Sequence, residues 1–227
     1  MSRRVLHKRL DQWLVELHLA PSKTKAKDLI LSGAVICGEK KLTKPGAVYA
    51  QEEIQGVQVI DTQILKYVSR AGLKLEGAVK HSRLTIAGKK ILDVGSSTGG
   101  FSDFLLQNDA SLVVGFDVGQ DQIHPSLLKN SRFKNFAGVH FNQADEQPEL
   151  KEYLAQKFDL IVADVSFISV TKLLPFARNW LAAEGQLLFL VKPQFELSPD
   201  KLNKKGIVKK AEYYQEVEHK LRTQAAS

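Results

Sequence analysis

A single cysteine, Cys37, stands among 227 residues, which excludes an internal disulfide framework and fits a reducing cytoplasm. Cys37 itself reads either as a reactive thiol or as a small strand-borne hydrophobe. Long apolar runs are also missing. A spanning helix needs about 18 consecutive apolar residues, and the best stretch, Leu160 to Val170, is interrupted by Asp164. The opening residues, MSRRVLHKRLDQW, break every apolar stretch with charge and cannot serve as a secretory signal. There is no internal repeat, no low-complexity tract and no cluster with metal-ligand spacing. These absences predict a cytoplasmic protein with no membrane partner, and 44% apolar residues suffice for a packed core.

Acidic residues are scarce where the chain begins. The first 50 residues hold ten Lys/Arg against four Asp/Glu, a net +6 of the overall +7. Residues 51–150 carry −2 and residues 151–227 carry +3. A basic field of this kind suits a polyanion, or it is a solvated, solubilising face.

The N-terminal segment reads as two helices and short strands. Leu10, Trp13, Leu14 and Leu17 follow i, i+3, i+4, i+7 spacing, and Pro21 ends that helix. Ser22 can cap a second helix with Ala26, Leu29 and Ile30 inward and Gly33 closing it. Val35–Ile36–Cys37, the turn at Gly38–Glu39 and Pro45–Gly46 suggest a hairpin-rich piece. Lys23 and Lys27 share an outer face, and Lys40, Lys41 and Lys44 add to it. RLDQWLVE (Arg9 to Glu16), PSKTKAKDLILSGAV (Pro21 to Val35) and the Gly38 to Gly46 segment resemble the S4-like RNA-binding domain. That resemblance implies an α+β RNA-binding domain over 1–60, with Arg9, Lys23, Lys27, Lys40 and Lys41 facing RNA. Lys23 stands where that family usually has arginine, so it contacts phosphate as a point charge rather than a fork.

From about Asp61 the pattern changes to alternating strands and helices. A helix is predicted over Ser69 to Arg83 with Leu73, Ala78 and Val79 inward. Buried strands are predicted at Lys90–Gly95, Leu112–Val118, Asn135–Val139, Leu160–Ala163 and Gln186–Val191. Helices Phe101–Gln107 and Val170–Leu181 lie among them. The alternation implies a doubly wound α/β domain, a mostly parallel sheet with helices on both faces.

Ile91–Leu92–Asp93–Val94 runs straight into Gly95–Ser96–Ser97–Thr98–Gly99–Gly100, and Phe101 resumes helical spacing. A glycine-rich strand-to-helix turn brings backbone close to a ligand and aims helix N–H groups at it. Asp117 follows Gly95 by 22 residues, the place for an acid that receives ribose hydroxyls. G-x-x-x-G-G is not the dinucleotide fingerprint, which argues against a nicotinamide. An acidic residue just before the loop, Asp93, is characteristic of S-adenosylmethionine sites. The alternative is an ordinary tight turn.

Asp164 and Lys192 directly follow buried strands, and Lys74 lies on the helix entering the domain. A charge in such a place is costly unless it is paired or functional; the bland reading is an ion pair between loops. YVSRAGLKLEGA (Tyr67 to Ala78), LDVGSSTGGFSDFLL (Leu92 to Leu106), DVSFIS (Asp164 to Ser169) and VKPQFE (Val191 to Glu196) resemble the TlyA family. That family comprises ribosomal RNA 2′-O-methyltransferases, historically called haemolysins and related to the FtsJ-type enzymes. The resemblance implies a Rossmann-like domain over 61–227 that transfers the methyl group of S-adenosylmethionine to a ribose 2′-hydroxyl. Ribosomal RNA or ribosomal subunits would be its partners. It implies cofactor contacts from Asp93, Gly95, Ser96, Ser97, Gly99, Gly100, Phe101, Asp117 and Asn142. Its catalytic set matches Lys74, Asp164 and Lys192: Lys192 stabilises the developing alkoxide or takes the proton, Asp164 orients it, and Lys74 fixes the hydroxyl or a phosphate.

The family's fourth member is a glutamate on a strand beyond the helix Ala211 to about Thr223. The sequence reaches Ser227 before such a strand, so this residue and the last two strands are expected to be absent, and Glu196 does not replace it. A non-catalytic or truncated RNA-binding relative that keeps the cofactor fold is therefore the alternative. A membrane-lysing protein, suggested only by the historical name, finds no amphipathic or spanning segment to support it.

Overall fold

The computed structural model describes residues 6–226, so Met1–Val5 of the charged N-terminal stretch lie outside it. The chain divides into two compact units, Met1–Leu73 and Lys74–Ser227.

In the first unit β1 (His7–Arg9) leads into α1 (Leu10–Glu16), followed by α2 (Lys23–Leu31). Leu10, Trp13 and Leu14 are fully buried against Ala26, Leu29 and Ile30 of α2. Leu17, expected on the same face, is 44% exposed. The helix has already closed there, and His18 adopts a left-handed φ of +56°. Ser22 caps α2 as its side chain accepts from Lys25 N at 3.3 Å, and Gly33, at φ +76°, lets the chain leave. β2 (Val35–Cys37), β3 (Lys40–Lys41), β4 (Val48–Ala50) and β5 (Val57–Val59) complete the unit. β2 pairs antiparallel with β3 and β5, and β1 with β4. Cys37 is half-buried with its thiol toward the carbonyls of Glu53 and Gln55, a strand residue rather than an open one.

The second unit's elements begin with α3 (Ala71–Ser82), which carries the boundary between the units. Its buried side chains are Leu75 and Val79, whereas Leu73 and Ala78 are half-buried. Then follow β6 (Lys90–Val94), α4 (Gly100–Gln107), β7 (Leu112–Asp117), α5 (Pro125–Leu128), β8 (Phe133–Ala137), α6 (Pro148–Ala155) and β9 (Phe158–Ala163). After these come α7 (Leu174–Trp180), β10 (Leu181–Phe189), α8 (Pro193–Glu196) and α9 (Glu212–Ala226).

β6 to β10 form one parallel sheet in the order β10-β9-β6-β7-β8. The chain starts at the centre, winds outward through β7 and β8, then returns past β6 to add β9 and β10. With right-handed crossovers, opposite winding directions put the helices on opposite faces, the doubly wound arrangement. Strand order reverses between β6 and β9, and that switch point is where side chains at the carboxyl ends of the strands can meet a ligand.

Most elements differ from their predicted spans, usually by one or two residues, and in three of them the cause is visible. β8 ends at Ala137 because Gly138 takes φ +73° and turns the chain back toward Gly119. The helix predicted from Val170 is interrupted: a 3₁₀ turn covers Val170–Lys172, and α7 starts afresh with Pro175 in its first turn, where the missing N–H costs nothing. β10 begins at Leu181 and has an irregular register up to Gln186, around Gly185.

Candidate active site

The carboxyl end of β6 carries the glycine turn. Gly95 and Gly99 have φ of +80° and +88°, conformations open to glycine and strained for other residues. The chain returns within one turn, Gly99 N donating to Ser96 O at 2.7 Å, and α4 starts at Gly100. A Cβ on Gly99 would lie 2.2 Å from Leu127 Cδ1. Phe101 is buried at the start of α4.

Asp117, at the end of β7, supports this turn. Its carboxylate accepts Ser97 N at 2.9 Å and Gly119 N at 2.7 Å, and a carboxylate retains lone pairs for further donors. Beside it lies a cavity of about 190 Å³ lined by Ser97, Asp117, Asp121, Ile123, Leu128 and Ala137 among others. Acidic groups and aliphatic side chains thus face one space, a combination that suits a flat heterocycle attached to a polyol. Asn142 is not among the residues lining it; its Oδ1 lies 2.6 Å from His140 Nδ1.

Asp93 is 1% exposed beneath α4, where Ser102 Oγ donates to its Oδ2 at 2.6 Å. Its Oδ1 and the buried Ser96 Oγ have no partner among the described residues. Burial pushes the Asp93 carboxyl up to about 7, helped by the negative charges of Asp117 and Asp164 and opposed by Ser102. A buried acid of this kind holds α4 against β6 from within.

Across the switch point, the three charged residues singled out from the sequence meet. Asp164, the first residue after β9, is flanked by two ammonium groups: Lys192 Nζ lies 2.6 Å from its Oδ1 and Lys74 Nζ 3.1 Å from its Oδ2. Lys192 also donates to Ser166 Oγ at 2.7 Å. Burial works to raise the pKa of Asp164, but the hydrogen bonds from Lys192 and Lys74 outweigh it, and the carboxyl falls below the usual carboxylate range. The carboxylate and Lys192 are largely enclosed, whereas Lys74 is about half exposed.

Two aromatic rings beside these residues did not stand out in the sequence. Phe167 is 90% exposed, with φ +64°, a conformation that costs a non-glycine residue about 1 kcal/mol. Its ring centroid lies 5.3 Å from that of Phe195. The signal was present in the blocks containing Ser166–Phe167 and Gln194–Phe195, but aromaticity alone does not tell a buried ring from a displayed one.

In the first unit Lys23, Lys27, Lys40 and Lys41 are exposed. Lys25 between the first two turns inward, donating to the carbonyls of Ile64 and Tyr67. Arg9 is engaged by the buried Asp11 through Nε–Oδ1 at 3.0 Å and Nη2–Oδ2 at 2.8 Å, with about half its side chain still in solvent.

The sequence pattern of the FtsJ-like methyltransferases matches residues 67–227. The chain belongs to the FtsJ-like methyltransferase family. A second pattern, the S4 domain, matches residues 8–49 ahead of the methyltransferase region. Among named relatives, the 16S/23S rRNA (cytidine-2′-O)-methyltransferase TlyA of Mycobacterium tuberculosis is 34% identical over 88% of this chain and 72% of its own length. Hemolysin A of Brachyspira hyodysenteriae is 35% identical over 88% of this chain and 80% of its own. The solved structure of a hemolysin-named protein from Streptococcus thermophilus superposes with a TM-score of 0.70 at 30% identity, covering 96% of this chain and 78% of that one. No helix among the described residues is long and apolar enough to cross a membrane.

Proposed function

We propose that the chain transfers a methyl group from S-adenosylmethionine to a ribose 2′-hydroxyl of ribosomal RNA, presented free or within a ribosomal subunit, in the cytoplasm. The observation that carries this reading is Asp164 held between Lys74 and Lys192, one strand away from the glycine turn. The residues fit the cofactor. Asp117 and the cavity beside it suit the adenosine, and the turn from Gly95 to Gly100 brings backbone close to the remainder. When bound, the cofactor supplies an electrophilic methyl on a sulfonium centre.

The chain's own residues then orient the ribose and stabilise charge. An ammonium has three donors. Lys192 uses two, on Asp164 and Ser166, and keeps one for the ribose oxygen as negative charge develops there. Asp164, ionised between two cations, fixes where that donor points. Lys74, half exposed, has donors left for the hydroxyl or a neighbouring phosphate. Phe167 offers an aromatic face on which an unstacked base can rest, next to the lysines that meet its sugar. Most of the rate comes from holding nucleophile and methyl in line. These three charged residues are the working set; the reading does not require Glu196 to act on substrate.

The test is transfer of labelled methyl to ribosomal RNA and to separated subunits. The wild-type chain is expected to label a single ribose class, and Lys192→Ala to lower the rate by roughly 10²-fold or more with cofactor affinity retained. Failure of the wild-type chain to label any ribosomal RNA would sink the reading and leave an RNA-binding relative that keeps the cofactor fold.

A further inference from the structure

Glu196 ends α8, and its side chain is fully buried. Its Oε1 accepts Val170 N at 2.7 Å. Its Oε2 accepts Ser169 Oγ and Lys220 Nζ, the latter at 3.0 Å. Lys220, on α9, also donates to the Glu196 carbonyl at 3.1 Å and to Ser169 Oγ at 3.3 Å. Ser169 in turn caps the turn that follows, accepting Thr171 N at 3.2 Å. Backbone, hydroxyl and ammonium donors thus converge on one carboxylate.

The two segments joined in this way are the ones that carry the reaction. Ser169 and Val170 close the loop that begins at Asp164 and displays Ser166 and Phe167. Glu196 closes the segment that begins at Lys192 and includes Phe195. Burying a carboxylate costs free energy, and buried ion pairs seldom repay that cost against apolar residues of similar size. Simple adhesion between two loops does not call for such a group. A fixed geometry does, because a carboxylate with directional donors on both sides permits one relative placement of the loops.

We propose that Glu196 is a positioning residue for the transfer reaction: it locks the Asp164 loop to the Lys192 segment, with Lys220 of α9 as its counter-ion. It touches neither substrate nor cofactor and acts through the Lys192–Asp164 contact. The role rests on the function proposed above, and it makes the docking of α9 a condition for an ordered reaction centre.

The experiment compares wild-type protein, Glu196→Gln and Lys220→Met, each alone and on a Lys192→Ala background. Two measurements are made: methyl-transfer kinetics with S-adenosylhomocysteine affinity, and amide hydrogen exchange over residues 164–171 and 192–197. Glu196→Gln is expected to lower kcat by roughly 10- to 100-fold, the cost of a small misplacement. KM for RNA and affinity for S-adenosylhomocysteine should stay within about threefold. On the Lys192→Ala background it should cost nothing further, since both changes disable one unit. Exchange should quicken in both segments together, and Lys220→Met should give an intermediate loss. A merely structural role predicts a lower Tm with kcat retained, or losses that add to Lys192→Ala; either result overturns the proposal. Unchanged exchange in the two segments also overturns it. That arm decides the matter even if wild-type protein transfers no methyl, a result that by itself counts against the function rather than the lock.

Discussion

Asp93 lies on β6 and Asp164 directly follows the neighbouring strand β9, and their surroundings push their acidities in opposite directions. Burial beneath α4 raises Asp93 to about 7. For Asp164, burial pulls the same way, but the hydrogen bonds from Lys192 and Lys74 win and lower it. The consequences for stability have opposite signs. The folded protein holds a proton on Asp93 more tightly than the unfolded chain does, so the stabilisation from this group is complete below the usual carboxylate range. It is lost as pH rises toward about 7. Asp164 contributes above the usual range and loses its contribution only on acidification through its lowered pKa. Asp93→Asn removes the first effect alone. Wild-type protein should therefore lose stability relative to Asp93→Asn between about pH 4 and pH 7, by on the order of 4 kcal/mol, with no further change above. Chemical denaturation of both proteins across that range is the measurement, and a pH-independent difference would refute the buried acid.

At the scale of elements, the glycine turn was the most legible part of the chain, because its cause is local. A short apolar strand ends flush against Gly95, and helical spacing resumes at Phe101. Only backbone conformation is needed to connect them. Gly99→Ala tests this directly: it places an L side chain at φ +88° and a Cβ 2.2 Å from the buried Leu127. The expected cost is about 2 kcal/mol, a Tm fall of roughly 5 °C, together with weaker S-adenosylhomocysteine binding. Calorimetry with and without the ligand reports both. Asp164 was legible for a similar reason, since a charge just beyond a buried strand stands out. Lys192 follows β10, which lies at the sheet edge with no residue fully buried, and Lys74 lies on α3, so these two were carried by the sequence blocks around them. What escaped the sequence is non-local or depends on small breaks. Pro175 restarts a helix that apolar spacing carries through, and Gly138 ends β8 two residues early. The lock around Glu196 joins Ser169, 27 residues before it, to Lys220, 24 residues after it, and no periodicity encodes such a meeting.

The molecule as a whole divides its work between two units of different charge. The first 50 residues hold a net +6, and five lysines of that stretch, Lys23, Lys27, Lys40, Lys41 and Lys44, are exposed. Lys25 and Arg9 are partly spent on the fold itself, Lys25 on two carbonyls and Arg9 on Asp11. The exposed five are therefore the better candidates for binding phosphate. Each phosphate that a lysine neutralises releases condensed counterions, so removing the lysine makes affinity depend less steeply on salt. Lys23→Ala with Lys27→Ala should weaken binding to ribosomal RNA about equally across sequences. The log–log salt slope should shrink by roughly 0.7 to 0.9 for each phosphate no longer neutralised. Affinity for S-adenosylhomocysteine should not change, because the site proposed for it draws only on residues of the second unit. Titrations at several salt concentrations give the slope. An unchanged slope with unchanged affinity would mean that these lysines only solubilise the unit, and that RNA is held elsewhere.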